Sequence, residues 1–162
     1  MALVSLSVER IKIMVDAIAA SLLSNGEPRW PTYVGNPGAS GDLPDRYIAV
    51  AYGGDDRPGV VGQAEMALSR DNNSTGHRWM VWCTASCSSG DLDTQARLDE
   101  VENVLDEFEE RLELNRGLAL ADGTDPMLVG GGMASLGSHE WTIEDDGTVA
   151  TVFWTVEVLV RW

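Results

Sequence analysis

Two cysteines are the first residues whose chemistry needs an explanation. Cys83 and Cys87 are the only cysteines in the chain, and the residues around them favour a β-strand. In a strand both side chains lie on the same face, about 13 Å apart at roughly 3.3 Å per residue. A disulfide requires a much shorter separation, and the nearby sequence offers no two further ligands to complete a metal site. We therefore predict two buried thiols and no metal.

The imidazoles and the longest glycine run do not lie in a catalytic motif. His77 and His139 are the only histidines, and neither belongs to a His-Glu-x-x-His or Gly-x-Ser-x-Gly pattern that would place a metal or a nucleophile. Gly130–Gly132 is not followed by the Gly-Lys-Ser/Thr of a phosphate loop. The histidines are predicted to be polar residues flanking strands, and the glycines to form a bend.

One acidic segment partly resembles a calcium-binding loop. Asp91, Asp93 and Gln95 are followed by Glu102, but Ala96 occupies the sixth position, where the sharp turn of such a loop requires glycine. Asp91 or Asp93 at the start of a helical pattern is better explained as a helix N-cap.

The chain carries 26 acidic and 11 basic side chains, for a formal net charge of -15. In so acidic a sequence, neighbouring carboxylates such as Asp55-Asp56 or Asp145-Asp146 are expected by chance, and an acid/base pair also requires a pocket. The same charge disfavours binding to nucleic-acid backbones, which depends on Lys and Arg contacts to phosphate. The sequence therefore predicts no enzyme, no cofactor and no nucleic-acid clamp.

The 162 residues have the size of one domain, and no repeat or low-complexity tract divides them, so we predict a single domain over residues 1–162. Met1–Val15 lacks a basic segment ahead of an apolar core. No stretch approaches the roughly 20 apolar residues that a membrane span needs. We expect a soluble protein without a membrane partner.

An N-terminal helix over Ser7–Leu23 is predicted from apolar residues at helical spacing. These residues are Val8, Ile11, Met14, Val15, Ile18 and Leu22. Gly26 is expected to end the helix, and Asn25–Asp45 then reads as a loop or a short extended piece. Its aromatic residues Trp30 and Tyr33 need something to pack against, either the domain's own sheet or a neighbouring subunit.

Three strands are predicted in the first half of the chain. Arg46–Gly53 is rich in β-forming residues and ends in a turn cluster, Val60–Leu68 is a weaker candidate, and His77–Cys87 alternates clearly. Because the last of these is apolar on both faces, we expect it to be covered on both faces.

A long helix is predicted over Asp91–Leu114, with a length of about 36 Å at 1.5 Å per residue. Its apolar positions are Leu98, Val101, Leu105, Phe108 and Leu112. Its other face is acidic and carries Asp99, Glu102, Asp106, Glu109 and Glu110. We interpret that face as solvated, with a partner-facing patch as the alternative.

The end of the chain is predicted to form a β-hairpin. Met133–Ile143 is extended, Asp146-Gly147 favours a two-residue turn, and one long strand follows over Thr148–Trp162. The even positions of that strand are all apolar, whereas its odd face is mixed and includes Glu157 and Arg161. The order of elements predicts an α+β fold, with a largely antiparallel sheet flanked by an N-terminal helix and one long central helix.

Several short segments follow the N-terminal helix in a recognisable order. A Tyr-Val-Gly-x-Pro-like segment stands at Tyr33–Pro37. A strand then runs through Trp79–Ser86 into the Ser-Gly-Asp-x-Asp segment of Ser89–Asp93 and a long helix that includes Val104–Asp106. A Gly-x-Val-Ala-x-Val strand, Gly147–Phe153, closes the pattern. In this order of segments the chain resembles the tail terminator, or tail-completion, proteins of long-tailed bacteriophages, particularly those of phages that infect actinobacteria.

The resemblance implies a structural virion protein at the junction of head and tail, made in the host cytoplasm. Such proteins form a ring, typically of six subunits, that caps the tail tube, stops its polymerisation and offers a docking surface to the head. The implied partners are further copies of the chain, the tail tube protein and a head-tail connector protein. We expect part of the acidic surface to line the lumen, so that genome DNA passes without specific binding.

Interface positions are the functional residues that this interpretation predicts. They are Trp30, Tyr33, Asp91, Asp93, Glu157 and Arg161. Two alternatives stay open at this point, namely a tail tube or head-tail connector subunit of the same assembly, and a small acidic binding module that stays monomeric.

Overall fold

Two helices and a six-stranded sheet form an α+β fold. The computed structural model describes residues 8–20, 30–40, 43–66, 75–88, 93–116, 133–144 and 148–161. In chain order the elements are α1 (Val8–Ala20), β1 (Thr32–Val34), a 3-10 turn (Pro37–Ser40), β2 (Arg46–Val50), β3 (Val60–Met66), β4 (Thr75–Ser88), α2 (Thr94–Glu113), β5 (Met133–Glu144) and β6 (Val149–Arg161). The predicted fold class is confirmed.

The sheet is built around the two longest strands, β4 and β6, which pair antiparallel along almost their whole length. On its other side β4 pairs with two strands in succession, β3 along its first half and β2 along its second half. β1 pairs parallel with β2, and β5 pairs antiparallel with β6. The sheet is therefore antiparallel except at β1.

Both described helices pack on one face of the sheet, which we call the helix face. α1 contributes Ile11, Val15, Ile18 and Ala19 to the buried core. α2 contributes Val101, Val104, Leu105, Phe108 and Leu112 to the same cluster. The ring centroids of Phe108 on α2 and Trp154 on β6 lie 5.2 Å apart. The hydrophobic effect of burying these side chains holds the two layers together.

The alternation predicted for the strands is confirmed. β4 buries Val81, Cys83, Ala85 and Cys87 on the helix face. β6 buries its even residues there, Ala150, Val152, Trp154, Val156 and Val158. Because the side chains of Val160 and Trp162 lie outside the described part, the even face is established only as far as Val158.

The helices agree with the prediction except at their ends. The described part of α1, Val8–Ala20, lies inside the predicted Ser7–Leu23, and the predicted stop at Gly26 lies outside the described residues. α2 begins at Thr94 with Asp93 as its N-cap, whose carboxylate accepts a hydrogen bond of 3.1 Å from the Ala96 amide. Within the acidic outer face, Asp99, Glu102, Asp106 and Glu110 are exposed, whereas Glu109 is half-buried.

β2 ends earlier than predicted, and β1 is the short extended piece that was one of the two predictions for its segment. β2 ends at Val50, three residues early, because Ala51 adopts a left-handed φ of 61° that breaks the extended backbone. β1 was expected only as a loop or short extended piece, and its three residues are held in place by pairing with β2. The predicted turn at Asp146-Gly147 lies outside the described residues, although the pairing of Glu144 with Val149 confirms the hairpin that it joins.

Candidate assembly interface

Two of the predicted interface residues have structural roles inside the subunit. Trp30 is 9 % exposed and belongs to the core cluster, so its packing partner is the domain's own core. Asp93 caps α2 and is itself exposed. Asp91 lies outside the described residues.

The other three predicted positions lie on or at the end of sheet strands. Tyr33 on β1 is half-buried and makes an edge contact with Tyr47 on β2, with 6.3 Å between ring centroids. Glu157 on β6 is half-buried and is paired with Met80 on β4. Arg161 is the last residue of β6, where its backbone is paired with Gly76.

Tyr33 and Glu157 both belong to the face of the sheet opposite the helices, which we call the open face. Register shows this, because Tyr33 is paired with Ala49, Ala49 with Thr84 and Thr84 with Phe153. Phe153 and Glu157 share the odd face of β6. In the described part of the chain, no helix covers the open face.

Buried hydroxyl groups line the middle of the open face. Thr84, Ser86, Thr151 and Thr155 are all buried. The Ser86 and Thr151 hydroxyls lie 3.1 Å apart, and Thr155 donates to the Ser138 carbonyl at 3.4 Å. Because burying a hydroxyl without a partner is costly, these bonds allow polar residues to occupy the centre of the sheet.

A single loop, residues 51–59, covers part of the open face, and we call it the cover loop. Both of its ends bind the backbone of Trp82. The Tyr52 amide donates to the Trp82 carbonyl at 3.0 Å, and the Trp82 amide donates to the Gly59 carbonyl at 2.8 Å. The Thr84 hydroxyl adds a bond of 2.7 Å to the Tyr52 carbonyl. This loop supplies the second cover that was predicted for β4, in place of a second helical layer.

Arg57 fixes the cover loop to the sheet. Its guanidinium lies 3.9 Å from the centre of the Trp82 ring and 5.0 Å from that of Phe153. It also donates to the Gly53 carbonyl and forms an ion pair with Glu140 on β5. One side chain therefore links the loop to β4, β6 and β5. Sequence reasoning missed Arg57, and the only available signal was a lone arginine in a loop rich in Gly, Asp and Pro.

A thiol, a carboxylate and a guanidinium meet where α2 crosses β2 and β4. The Cys87 thiol donates to Glu100 at 2.7 Å, and Arg46 donates to the same carboxylate at 2.8 Å. Burial, and then the bond to Glu100, raises the pKa of Cys87 to about 12. Burial alone would raise the pKa of Glu100, but the bonds from Arg46 and Cys87 outweigh it and lower that pKa.

The second thiol is also held in its protonated form. Burial raises the pKa of Cys83, which lies in the core. Both cysteines are free and buried, as predicted. Because the thiolate is the nucleophilic form, a thiol with a raised pKa is a poor nucleophile. Cys83 and Cys87 therefore act as packing residues.

A site could also lie in a cavity or in a cluster of metal-ligating side chains. A cavity of about 180 Å³ lies between the last turns of α2 and the start of β5, next to Glu109, Glu113 and Arg116. Its lining also includes Ala134, Ser135 and Leu136 at the start of β5. Within the described ranges, no group of three His, Cys, Asp or Glu side chains could hold a metal ion, and no helix is long and apolar enough to cross a membrane.

Comparison with known proteins adds no assignment. No model of a known protein family matches this chain, and no curated protein matches it either.

Proposed function

We propose that this chain is a structural virion protein that forms a ring of six copies at the end of a bacteriophage tail tube. In this role it ends polymerisation of the tube and joins the tail to the head. Its partners are further copies of itself, the tail tube protein and a head-tail connector protein, and genome DNA passes through the lumen. Its working residues are contact residues, and it needs no cofactor.

The observation that carries the proposal is a sheet on which the helices of the described residues pack against only one face. The cover loop lies over the open face around Trp82. Beyond this loop, the open face presents half-buried or exposed apolar side chains around Glu157. These side chains are Val61, Met80 and Leu159. A sheet face of this mixed character can contact a neighbouring subunit or border a channel.

The segments that carry the resemblance to tail terminators also lie together in the fold. Tyr33–Pro37 forms β1 and the start of the next turn, and Trp79–Ser86 forms the centre of β4. Val104–Asp106 belongs to α2, and the described part of Gly147–Phe153 begins β6. They therefore lie in one outer strand of the sheet, in its two central strands and in the helix that packs on it.

The decisive experiment measures tube length. Purified tail tube protein is allowed to polymerise with and without this chain, and negative-stain microscopy records tube lengths and end views. We expect six-fold rings in the chain alone or at tube ends, and tubes that stop growing where a ring is bound. A chain that leaves tube growth unchanged and stays monomeric at micromolar concentration would instead support a small acidic binding module. A chain that itself grows into tubes would support a tube subunit.

Glu157→Arg tests whether the open face takes part. Glu157 is half-buried on the open face, so its replacement should leave a folded subunit. If the face contacts a neighbour, rings should form less completely, because the new charge and the longer side chain disturb that contact. Normal rings from this variant would remove Glu157 from the interface.

A further inference from the structure

The sheet ends in strands that have one unpaired side. Within the described residues, β6 is the only strand that pairs with β5 (Met133–Glu144), and β4 is the only strand that pairs with β3 (Val60–Met66). At the start of β5, the Ala134 amide donates to the Arg116 carbonyl at 2.7 Å, so the free side of this strand begins after Ala134. An unpaired strand side presents a row of backbone N–H and C=O groups that can pair with a strand of another chain. The two sides lie at opposite edges of the same sheet.

Exposed hydrophobic side chains are concentrated at these edges. Of the seven large exposed hydrophobic residues among the described side chains, four lie on the outer strands β1, β3 and β5, and none lies on β2, β4 or β6. Val34 is on β1 and Val61, 39 % exposed, is on β3. Trp141 and Ile143 on β5 are 44 % and 50 % exposed. The exposed apolar surface of the sheet therefore follows its edges.

Lysine, proline and short length commonly keep an edge strand single, as do other charged side chains and β-bulges. The charged side chains on these two strands are glutamates, Glu65 on β3 and Glu140 and Glu144 on β5. β5 has 12 residues and β3 has seven, and neither strand contains lysine or proline. The irregularity in β5 lies between Leu136 and His139, so the run from His139 to Glu144 keeps a regular register with β6.

Strand direction makes the two edges compatible. β3 is antiparallel to β4, β4 to β6 and β6 to β5. β5 therefore runs opposite to β3 of its own subunit. When copies are placed side by side with their sheets in the same orientation, β5 of one copy meets β3 of the next in the antiparallel sense.

We infer that the outer edge of β5 in one copy pairs with the outer edge of β3 in a second copy, so that the sheet continues from subunit to subunit. A contact of this head-to-tail type uses both edges, whereas a two-fold pairing of β5 with β5 would leave the β3 edge uncovered. Head-to-tail contacts form a ring when their rotation closes. The inference deepens the proposed function and rests on it for that closure.

Three single variants with the same charge change test the pairing. Ile143→Lys places a lysine on the β5 edge, and Val61→Lys places one on the β3 edge. The matched control is Ile13→Lys on α1, a residue that is 62 % exposed and belongs to neither edge strand. Size-exclusion chromatography with light scattering measures the mass over a concentration series. We expect each edge variant to need at least about tenfold more protein to assemble, and the control to assemble at a concentration close to that of the parent chain.

Mixing the two edge variants separates a head-to-tail contact from a two-fold one. Val61→Lys keeps an intact β5 edge, and Ile143→Lys keeps an intact β3 edge. An equimolar mixture should therefore form one contact and stop at a heterodimer, while each variant alone stays monomeric. If Val61→Lys alone forms a dimer that Ile143→Lys does not form, β5 pairs with β5 and the inference is wrong.

Amide hydrogen exchange on the parent chain gives a test that needs no variant. Comparing dilute with assembled protein, we expect slower exchange in both β3 and β5. Unchanged exchange in either strand, or edge variants that assemble like the parent, would overturn the inference. A failure of the edge-pairing inference can be told apart from a failure of the proposed function. Rings that cap tubes without edge pairing contradict only the inference, whereas edge-paired assemblies that leave tube length unchanged contradict only the function.

Discussion

At the scale of the residue, Arg57 is expected to stabilise the fold through its position over two aromatic rings. Arg57→Met keeps an apolar stem of similar length but removes the charge above Trp82 and Phe153, together with the hydrogen bond to the Gly53 carbonyl and the ion pair with Glu140. We expect the free energy of unfolding to fall by about 0.5–2 kcal/mol, the range of a partly desolvated cation–π contact. Urea denaturation followed by tryptophan fluorescence measures the change.

The control for Arg57 is its ion-pair partner. Glu140 is exposed, so Glu140→Gln should change stability by about 0.5 kcal/mol or less, as exposed ion pairs do. An equal loss in both variants would show that the ion pair, and not the contact with the rings, holds the cover loop.

The two buried thiols should make the folded protein less stable at high pH. Burial raises the pKa of Cys83, and burial with the Glu100 bond raises that of Cys87 to about 12. The unfolded chain loses its thiol protons near pH 8.5, so the contribution of Cys87 is complete below that pH and is lost as the pH rises toward about 12. Within this window the free energy of unfolding should fall as the pH rises, and about 1.4 kcal/mol per pH unit is the upper limit for each thiol.

Cys87→Ser is the matched control, because a hydroxyl can still donate to Glu100 but does not titrate in this window. Its stability should fall less steeply between pH 9 and 11 in urea titrations. At pH 8, a disulfide reagent should find no reactive thiol in the native parent chain and two after unfolding. Reaction of either thiol without unfolding would contradict the burial of the pair.

At the scale of the element, the cover loop depends on a close approach between its two ends. A Cβ atom added at Gly59 would lie 1.9 Å from the Ala51 carbonyl oxygen, so that the backbone must move. Gly59→Ala is expected to lower the free energy of unfolding by more than about 2 kcal/mol, as strained substitutions do.

Ala51→Gly relieves a left-handed φ of 61°. It should raise the free energy of unfolding by about 0.5 kcal/mol after the added flexibility of glycine is counted. Thermal unfolding of the two variants checks both signs.

Elements with strong periodicity could be predicted from the sequence, because their pattern reflects one buried face. The alternation in β4 and β6 and the helical spacing in α2 each locate the side that faces the core.

The cover loop could not be predicted in this way. Arg57 contacts Trp82, Phe153 and Glu140, which are distant in sequence, and its local sequence indicates only a turn. The packing partner of Trp30 could not be predicted either, because residues that contact it are distant in sequence. Its aromatic character predicts burial, but not whether it packs on the core or on a neighbouring subunit.

At the scale of the whole molecule, assembly has to overcome the charge of the chain. Each copy carries a formal charge of -15, and exposed carboxylates cover the outer face of α2. Bringing copies together therefore adds repulsion. Salt reduces it, because the screening length falls from about 10 Å at 0.1 M to about 3 Å at 1 M.

We therefore expect assembly to become more favourable as NaCl rises from about 0.1 to 1 M, with a lower protein concentration at the midpoint. Light scattering over a salt series measures this midpoint. Ile13→Lys removes one unit of net negative charge away from the sheet edges and should shift the midpoint slightly in the same direction. Edge pairing also buries apolar side chains, and the hydrophobic effect is not weakened by NaCl. If the protein concentration at the midpoint instead rises with salt, specific ion pairs between the copies hold the assembly together. That result would contradict pairing of the β5 and β3 edges against a general repulsion.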